Sequence, residues 1–260
     1  MKEPVAIVPV MCGAEQVVLL GDEHQLPPTV KRTEAIIAGL GYSLFERLVA
    51  SRCPVHTLST QYRMHPMIAR YPFDTFYKDI RVENHFPAER FPKICGFSWP
   101  ARGPVCVIDN AHGEESTAIG IRNKGQCELI AQIVVDIIKG CDQCGKPCGL
   151  SPRQIGVLCA YRAQCHLMRE TLATMAIHDI DVGTIDCFQG REYDLVIAST
   201  VRSSQSEHLG FLASGRRLNV ALTRARRGLI VICNYRKFGR SPWSEYVQWA
   251  MAKSLTDSDF

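Results

Sequence analysis

The chain has 260 residues, 46% of them hydrophobic and 22% charged, with a net charge of +4. That composition excludes a disordered chain and fits one large domain, or one domain plus part of another; the mild basicity permits a polyanionic partner without requiring one. No uninterrupted apolar run reaches the roughly 18 residues of a membrane span, and no apolar core follows Met1-Lys2-Glu3-Pro4 to make a signal peptide. The 12 cysteines are scattered through apolar segments rather than framing loops. This pattern points to reduced thiols and an intracellular chain, cytoplasmic rather than nuclear.

Residues 1–10 have no clear beginning, and Glu3-Pro-Val-Ala-Ile-Val-Pro9 reads as the tail of an element. Gln16-Val-Val-Leu-Leu20 predicts a short buried strand running into Gly21-Asp-Glu-His-Gln-Leu-Pro-Pro28. Open α/β sheets bind ligands just past the carboxyl ends of their strands, and Gln25 can hydrogen-bond a phosphate oxygen or a water there. Ser43-Leu-Phe-Glu46 is a capping box, with Leu44, Phe45, Leu48 and Val49 continuing a helical stripe. Val55 to Ser59 predicts a strand, followed by Thr60-Gln-Tyr-Arg-Met-His-Pro66. In that string Tyr62 offers a flat face for a base and Arg63 a fork for a phosphate.

A helix over Met67–Lys78, interrupted at Pro72, is expected next, then an irregular stretch over 84–104. Val105–Ile108 predicts a strand and His112–Thr117 a polar loop. Leu129, Ile130, Ile133, Val134, Ile137 and Ile138 mark an amphipathic helix stopped by Gly140. Gln154–Cys159 predicts a strand, leading through Tyr161 and Gln164 into a helix to about Met175. Asp181–Asp186 precedes Cys187-Phe-Gln-Gly-Arg-Glu192, and Asp194–Ser199 predicts another strand, ending in Thr200-Val-Arg-Ser203. Leu218, Ala221, Leu222 and Ala225 form one stripe of a helix that Gly228 should end, before a buried strand over Leu229–Cys233. Arg217 and Arg224 then lie two turns apart on one side of that helix, suited to clamping developing phosphate charge. Pro242–Met251 is a last helix. Strands alternating with helices predict a mostly parallel sheet covered on both faces.

The insert at 140–148 carries two further features. Gly140-Cys-Asp-Gln-Cys-Gly-Lys146 fits the first positions of a phosphate loop, but Pro147 stands where a Ser or Thr must hold magnesium, and the segment comes after a helix rather than a strand. Cys141, Cys144 and Cys148 have metal-ligand spacing. With no fourth ligand near in sequence, free thiols in a surface insertion are the expectation.

Four strings stand in fixed order: Gly21 to Pro28, Gln61-Tyr-Arg-Met-His-Pro66, Thr184 to Glu192, and Arg216 to Arg226. Together they closely resemble the C-terminal motor half of superfamily 1 helicases, most nearly the up-frameshift (nonsense-mediated decay) type, over nearly the whole chain. The resemblance implies an α/β, RecA-like fold of the P-loop NTPase kind. It implies that Gln25 senses the γ-phosphate, Tyr62 stacks on adenine, Arg63 contacts the γ-phosphate and Glu192 holds the ribose hydroxyl. Arg224 corresponds to the arginine finger, with Arg217 beside it in the nucleotide set. Thr184, Gln189, Arg202 and Ser203 fall in motifs near the nucleic-acid backbone, as do Tyr161 and Gln164 near the bound strand.

The chain departs from the family pattern in two places. Ala213-Ser214-Gly215 replaces an acidic residue and proline, which is expected to loosen the start of the arginine helix. No phosphate loop with a Lys-Ser/Thr end and no magnesium-holding Asp-Glu motif precedes residue 1. The expected division is therefore 1–59, the end of a first RecA-like domain; 60–240, a second RecA-like domain; and 241–260, a helix and tail. The implied activity is ATP-dependent 5′-to-3′ movement on single-stranded RNA or DNA, using ATP and magnesium. A first domain in cis or in trans would supply the magnesium ligands, and this chain alone is expected to be inactive. The alternative is a non-catalytic nucleic-acid-binding or regulatory module. No membrane partner is expected.

Overall fold

The computed structural model describes residues 2–87, 91–141, 145–203, 210–237 and 240–257, and the chain falls into two compact units, Met1–Ser59 and Thr60–Phe260. The first unit holds α1 (Glu3–Met11), α2 (Thr33–Ala35) continuing into a π-turn over Ile36–Leu40, and α3 (Leu44–Ala50). The capping box of α3 is made: Glu46 N–H donates to Ser43 Oγ at 3.1 Å, and Ser43 N–H donates to Glu46 Oε2 at 3.0 Å. The strands expected at 16–20 and 55–59 do not form. Val18, Leu20 and Leu58 are 83%, 92% and 91% exposed, and the described residues of this unit contain no strand. An apolar run becomes a strand only when neighbours take its N–H and C=O groups, and this unit offers none.

The second unit opens with β1 (Thr60–Gln61), α4 (Pro66–Phe76) and β2 (Glu83–Asn84), the two short strands pairing in parallel. Next come β3 (Val105–Asp109), the antiparallel pair β4 (Glu115–Thr117) and β5 (Gly120–Arg122), α5 (Lys124–Ile138), β6 (Ile155–Cys159) and α6 (Arg162–Thr174). The remainder is β7 (Asp181–Thr184), β8 (Tyr193–Ser199), α7 (Gly215–Leu222), β9 (Ala225–Cys233), α8 (Pro242–Ala252) and β10 (Thr256–Asp257). Six strands form one sheet in the order β10-β3-β9-β8-β6-β7, every neighbour parallel.

Strand side chains alternate between two buried faces. Cys106, Ile108, Ile155, Val157, Leu195, Ile197, Ile230 and Ile232 share one core with Ile130, Ile133, Val134 and Ile137 of α5 and Met168 and Leu172 of α6. On the other face α4, α7 and α8 pack together, with α4 against β9 and α8 against β3. There Tyr71 meets Tyr246 and Trp249 edge-on at 5.0 and 5.3 Å. The fold is the RecA-like α/β class, a parallel sheet between helical layers.

Two helices differ from the pattern in the sequence. Helix α4 runs through Pro72, which is buried with Ile68, Ala69 and Tyr71, so packing outweighs the one hydrogen bond that proline removes. Helix α7 stops at Leu222, well before Gly228: the Thr223 hydroxyl donates to Asn219 O at 2.7 Å, and the chain then joins β9 from Ala225. Arg224 therefore lies in the turn rather than on the helix. The Ala-Ser-Gly substitution does not loosen the helix start, because Ser214 caps it, its Oγ accepting from Arg217 N–H at 3.4 Å.

Candidate functional site

The amino ends of β8 and β9 lie side by side, Tyr193 pairing with Ala225 and donating its N–H to Arg224 O at 3.0 Å. Glu192 and Arg224, each the residue before a strand, are thereby brought together. Arg63, leaving β1, closes the group: Nε donates to Glu192 Oε2 at 2.5 Å and Nη1 to Thr223 O at 3.1 Å. This ion pair is partly exposed, 33% and 42% at its two side chains, so it adds no more than about 1 kcal/mol to stability and can exchange partners. Tyr62 beside it is 68% exposed, its ring 5.8 Å from that of His85.

A bulge shapes the rest of this end. Tyr193 faces Ala225 but Leu195 faces Gly228, so Arg226 and Arg227 together oppose Asp194. Both reach its carboxylate, at 3.9 and 3.2 Å, and both guanidiniums lie over the Phe91 ring, at 5.2 and 5.5 Å. His65 ties α4 to the same bulge, donating its N–H to Arg226 O at 2.8 Å, while its Nδ1 accepts from Met67 N–H at 3.2 Å. Burial pushes the His65 imidazole below the usual histidine value, which keeps that acceptor nitrogen free of a proton. Arg224 is 2% exposed; it donates to Val220 O at 3.1 Å, Arg191 O at 3.4 Å and Thr223 Oγ1 at 2.8 Å. It braces the turn from inside, and Arg63 is the arginine presented outward.

The carboxyl ends of β6 and β8 carry a second group. Arg202 Nη1 lies 3.2 Å from Glu114 Oε1, Ser203 N–H donates to Glu114 Oε2 at 2.5 Å, and Glu114 N–H donates to Ser203 Oγ at 2.8 Å. Tyr161 stands close to this cluster: burial raises its phenol pKa, and Arg202 pulls the other way. Its ring meets Phe211 edge-on at 5.8 Å, and Arg217 lies 4.6 Å above the same Phe211 ring. Arg217 grips Asp186 with two bonds, 2.9 and 3.2 Å. Thr184 ends β7 with its hydroxyl 3.3 Å from Cys187 Sγ, and Gln189 is exposed beyond it. Under these residues Gln164, fully buried, accepts from Asn123 N–H at 2.7 Å and donates to Asn123 O at 3.1 Å.

Within the first unit, Gln25 Nε2 donates to Asp22 Oδ2 at 2.7 Å and His24 N–H to Asp22 Oδ1 at 2.9 Å, so Asp22 closes the turn that presents Gln25.

A family model described as an AAA domain matches residues 40–236. The chain belongs to that family. Within it the chain is a helicase domain of superfamily 1, up-frameshift type, as the four motif strings imply. It is 36% identical over 241 residues to the "Regulator of nonsense transcripts 1 homolog" of Neurospora crassa, covering 89% of this chain and 21% of that protein. To the "ATP-dependent helicase NAM7" of Saccharomyces cerevisiae it is 34% identical over 250 residues, 92% of this chain and 25% of that one. The chain thus spans a fifth to a quarter of the length of these curated relatives. Over 71% of this chain and 26% of that one, it is also matched to the crystal structure of PRRSV nsp10 (helicase), at 16% identity and a TM-score of 0.27, too slight a likeness to bear on the fold.

For this helicase domain, then, Tyr62, Arg63, Glu192 and Arg224 of the sequence-derived nucleotide set meet at the amino end of the sheet. Arg217 stands elsewhere, with Tyr161, through Phe211. Glu114, Asp186 and Phe211 escape sequence reading because their roles depend on partners distant in the chain, 31 residues away for Asp186 and 89 for Glu114. The carboxylates at the amino end, Glu192 and Asp194, are each paired with arginines, so that surface suits an anion and offers no magnesium ligand. Of the three spaced thiols, Cys148 is joined to Cys95 in a disulfide, which corrects the free-thiol expectation and removes it as a ligand. Cys141 is an exposed free thiol, and Cys144 lies outside the described residues. Among the described residues no three His, Cys, Asp or Glu side chains group to hold a metal, and no helix is long and apolar enough to cross a membrane.

Proposed function

We propose that the chain is the second motor domain, with the closing segment of the first in residues 1–59, of an ATP-dependent helicase that moves 5′ to 3′ on single-stranded RNA or DNA. ATP is the substrate of the amino-end group. Tyr62 stacks on its base, Glu192 exchanges Arg63 for the ribose hydroxyl, and the released Arg63 takes a phosphate oxygen. Arg224 and magnesium, the latter held by residues outside this chain, complete that site when a first domain supplies the phosphate loop. Gln25 keeps the role of γ-phosphate sensor that the family resemblance gives it. The strand lies across the carboxyl-end group, where Tyr161, Thr184, Gln189, Arg202 and Ser203 offer stacking and backbone contacts that suit any sequence. The same reading makes the protein cytoplasmic, which cell fractionation tests.

The observation that carries this reading is strand β8. Glu192 precedes it, Thr200 to Ser203 come directly after it, and it is buried between β6 and β9. Seven residues of strand make a stiff rod of about 20 Å, so a shift at the nucleotide end is felt at the strand end. The test is fluorescence anisotropy of the purified chain with labelled oligouridylate and oligodeoxythymidylate. Binding that weakens steeply between about 50 and 200 mM salt is expected. No binding to either at low salt would remove the motor reading and the regulatory-module alternative together.

A further inference from the structure

Val201 has φ +67°, a left-handed conformation that a β-branched residue enters only under constraint, and it is fully buried. Across it, Arg202 N–H donates to Thr200 O at 2.7 Å, so residues 200–202 form a γ-turn with a left-handed centre. The turn is held from both sides by the first turn of α5. Gln126 Oε1 accepts from Val201 N–H at 3.1 Å and from Ser199 Oγ at 2.7 Å. Asn123 Nδ2 donates to Val201 O at 3.2 Å, and Asn123 Oδ1 in turn accepts from Gln126 N–H at 3.0 Å. Gln126 and Asn123 are both fully buried, and Gln126 Nε2 has no partner among the described residues. An amide buried with one end unsatisfied, holding a strained residue by its other end, is an arrangement that folding alone does not favour.

We propose that Gln126 is a positioning residue for the grip on the nucleic-acid strand: with Asn123 it locks Val201 in the left-handed turn that sets Arg202 and Ser203 over the carboxyl end of β8. Without the lock, Val201 relaxes to negative φ and the next two residues leave the place where Glu114 receives them. This rests on the reading of residues 200–203 as a strand contact. The device also gives α5 a part in binding that none of its own side chains performs by touching the strand.

The test is a double-mutant cycle read by anisotropy with labelled oligouridylate, using the whole chain. Gln126→Met keeps the side-chain length but removes the acceptor, and should weaken binding about tenfold, the ratio expected when one strained residue relaxes out of place. Val201→Gly, which adopts positive φ without strain, should bind as the unmodified chain does. In the double variant the Gln126 change should have almost no effect, because glycine no longer needs the lock; a merely structural glutamine would show no such suppression. Gln126→Glu, which keeps the acceptor and discards the orphan donor, should restore binding. Gln126→Asn, withdrawing the amide by one methylene, should behave like Gln126→Met and serves if that variant does not fold. Equal binding of Gln126→Met and the unmodified chain, or a double variant as weak as Gln126→Met, overturns the proposal while leaving the strand contact intact. An unmodified chain that binds no oligonucleotide overturns the functional reading, and this proposal with it.

Discussion

The two ends of the parallel sheet are built from different materials. At the amino ends of β8 and β9 the contacts are ionic and partly open to solvent, led by the Arg63–Glu192 pair. At the carboxyl ends the visible charges rest on a buried layer of neutral amides and hydroxyls: Asn123, Gln126, Gln164 and Ser199. An exposed ion pair opens easily, because water replaces each partner. A buried amide that loses its partner has nothing to replace it. The first end can therefore trade its internal partners for a charged ligand, whereas the second keeps one loop geometry.

The largest effect that sharpens this contrast is on turnover. In the full-length protein, Arg63→Ala should lower ATP hydrolysis by about 10³ or more, the range for arginines that stabilise a transferring phosphoryl group, with the unfolding midpoint almost unchanged. Arg224→Ala should lose turnover by a similar factor and also about 1–3 kcal/mol of stability, since it empties an enclosed site of three hydrogen bonds. Steady-state ATPase assays paired with urea unfolding separate the two. Identical stability losses for both arginines would end the distinction between a presented side chain and a bracing one.

A smaller effect is expected at the opposite end. Gln164→Leu leaves the N–H and C=O of Asn123 without their partner and should cost about 2–4 kcal/mol in urea unfolding. Glu192→Gln at the amino end should cost less than about 1 kcal/mol. The reverse ranking would mean that the ionic end, not the amide layer, is the rigid one.

His65 gives the amino end a pH dependence. Its folded pKa is held below the ordinary value of 6.5, so the unfolded chain takes up the proton first. Stability from the neutral cap is whole above about pH 6.5 and is lost as pH falls through the lower folded value. His65→Asn, which caps without titrating, should show a shallower decline in urea midpoint between about pH 7 and 5 than the unmodified chain. Parallel declines would show that His65 is not the titrating group. The smallest effect belongs to the helical layer: Tyr246 buries a hydroxyl with no partner among the described residues. Tyr246→Phe should be neutral or stabilising by up to about 1 kcal/mol by calorimetry, and a clear loss would reveal a hidden hydrogen bond.

Much of the second unit is legible in the sequence because its signals are local. Each of β6, β8 and β9 contains a short apolar run, the stripe of α5 has helical spacing, and the strings carrying Arg63 and Glu192 are contiguous. The same local reading fails at 16–20 and 55–59, where apolar runs have no strand partner within their unit and stay exposed. It also fails at Arg224, placed on a helix by periodicity, because the Thr223 hydroxyl ends that helix and the β9 bulge redirects the chain beyond it.

By itself the sequence determined the alternation of strands and helices, the order of the motif strings and the family, since each depends on neighbours within a few positions. Only the tertiary structure decided that Arg63 reaches Glu192 across 129 residues, that Arg217 stands beside Phe211 and Asp186, and that Gln126 holds Val201 in a left-handed turn. Those pairings arise from parallel register and helix docking. Register brings distant residues to a common sheet end, and no spacing along the chain encodes it.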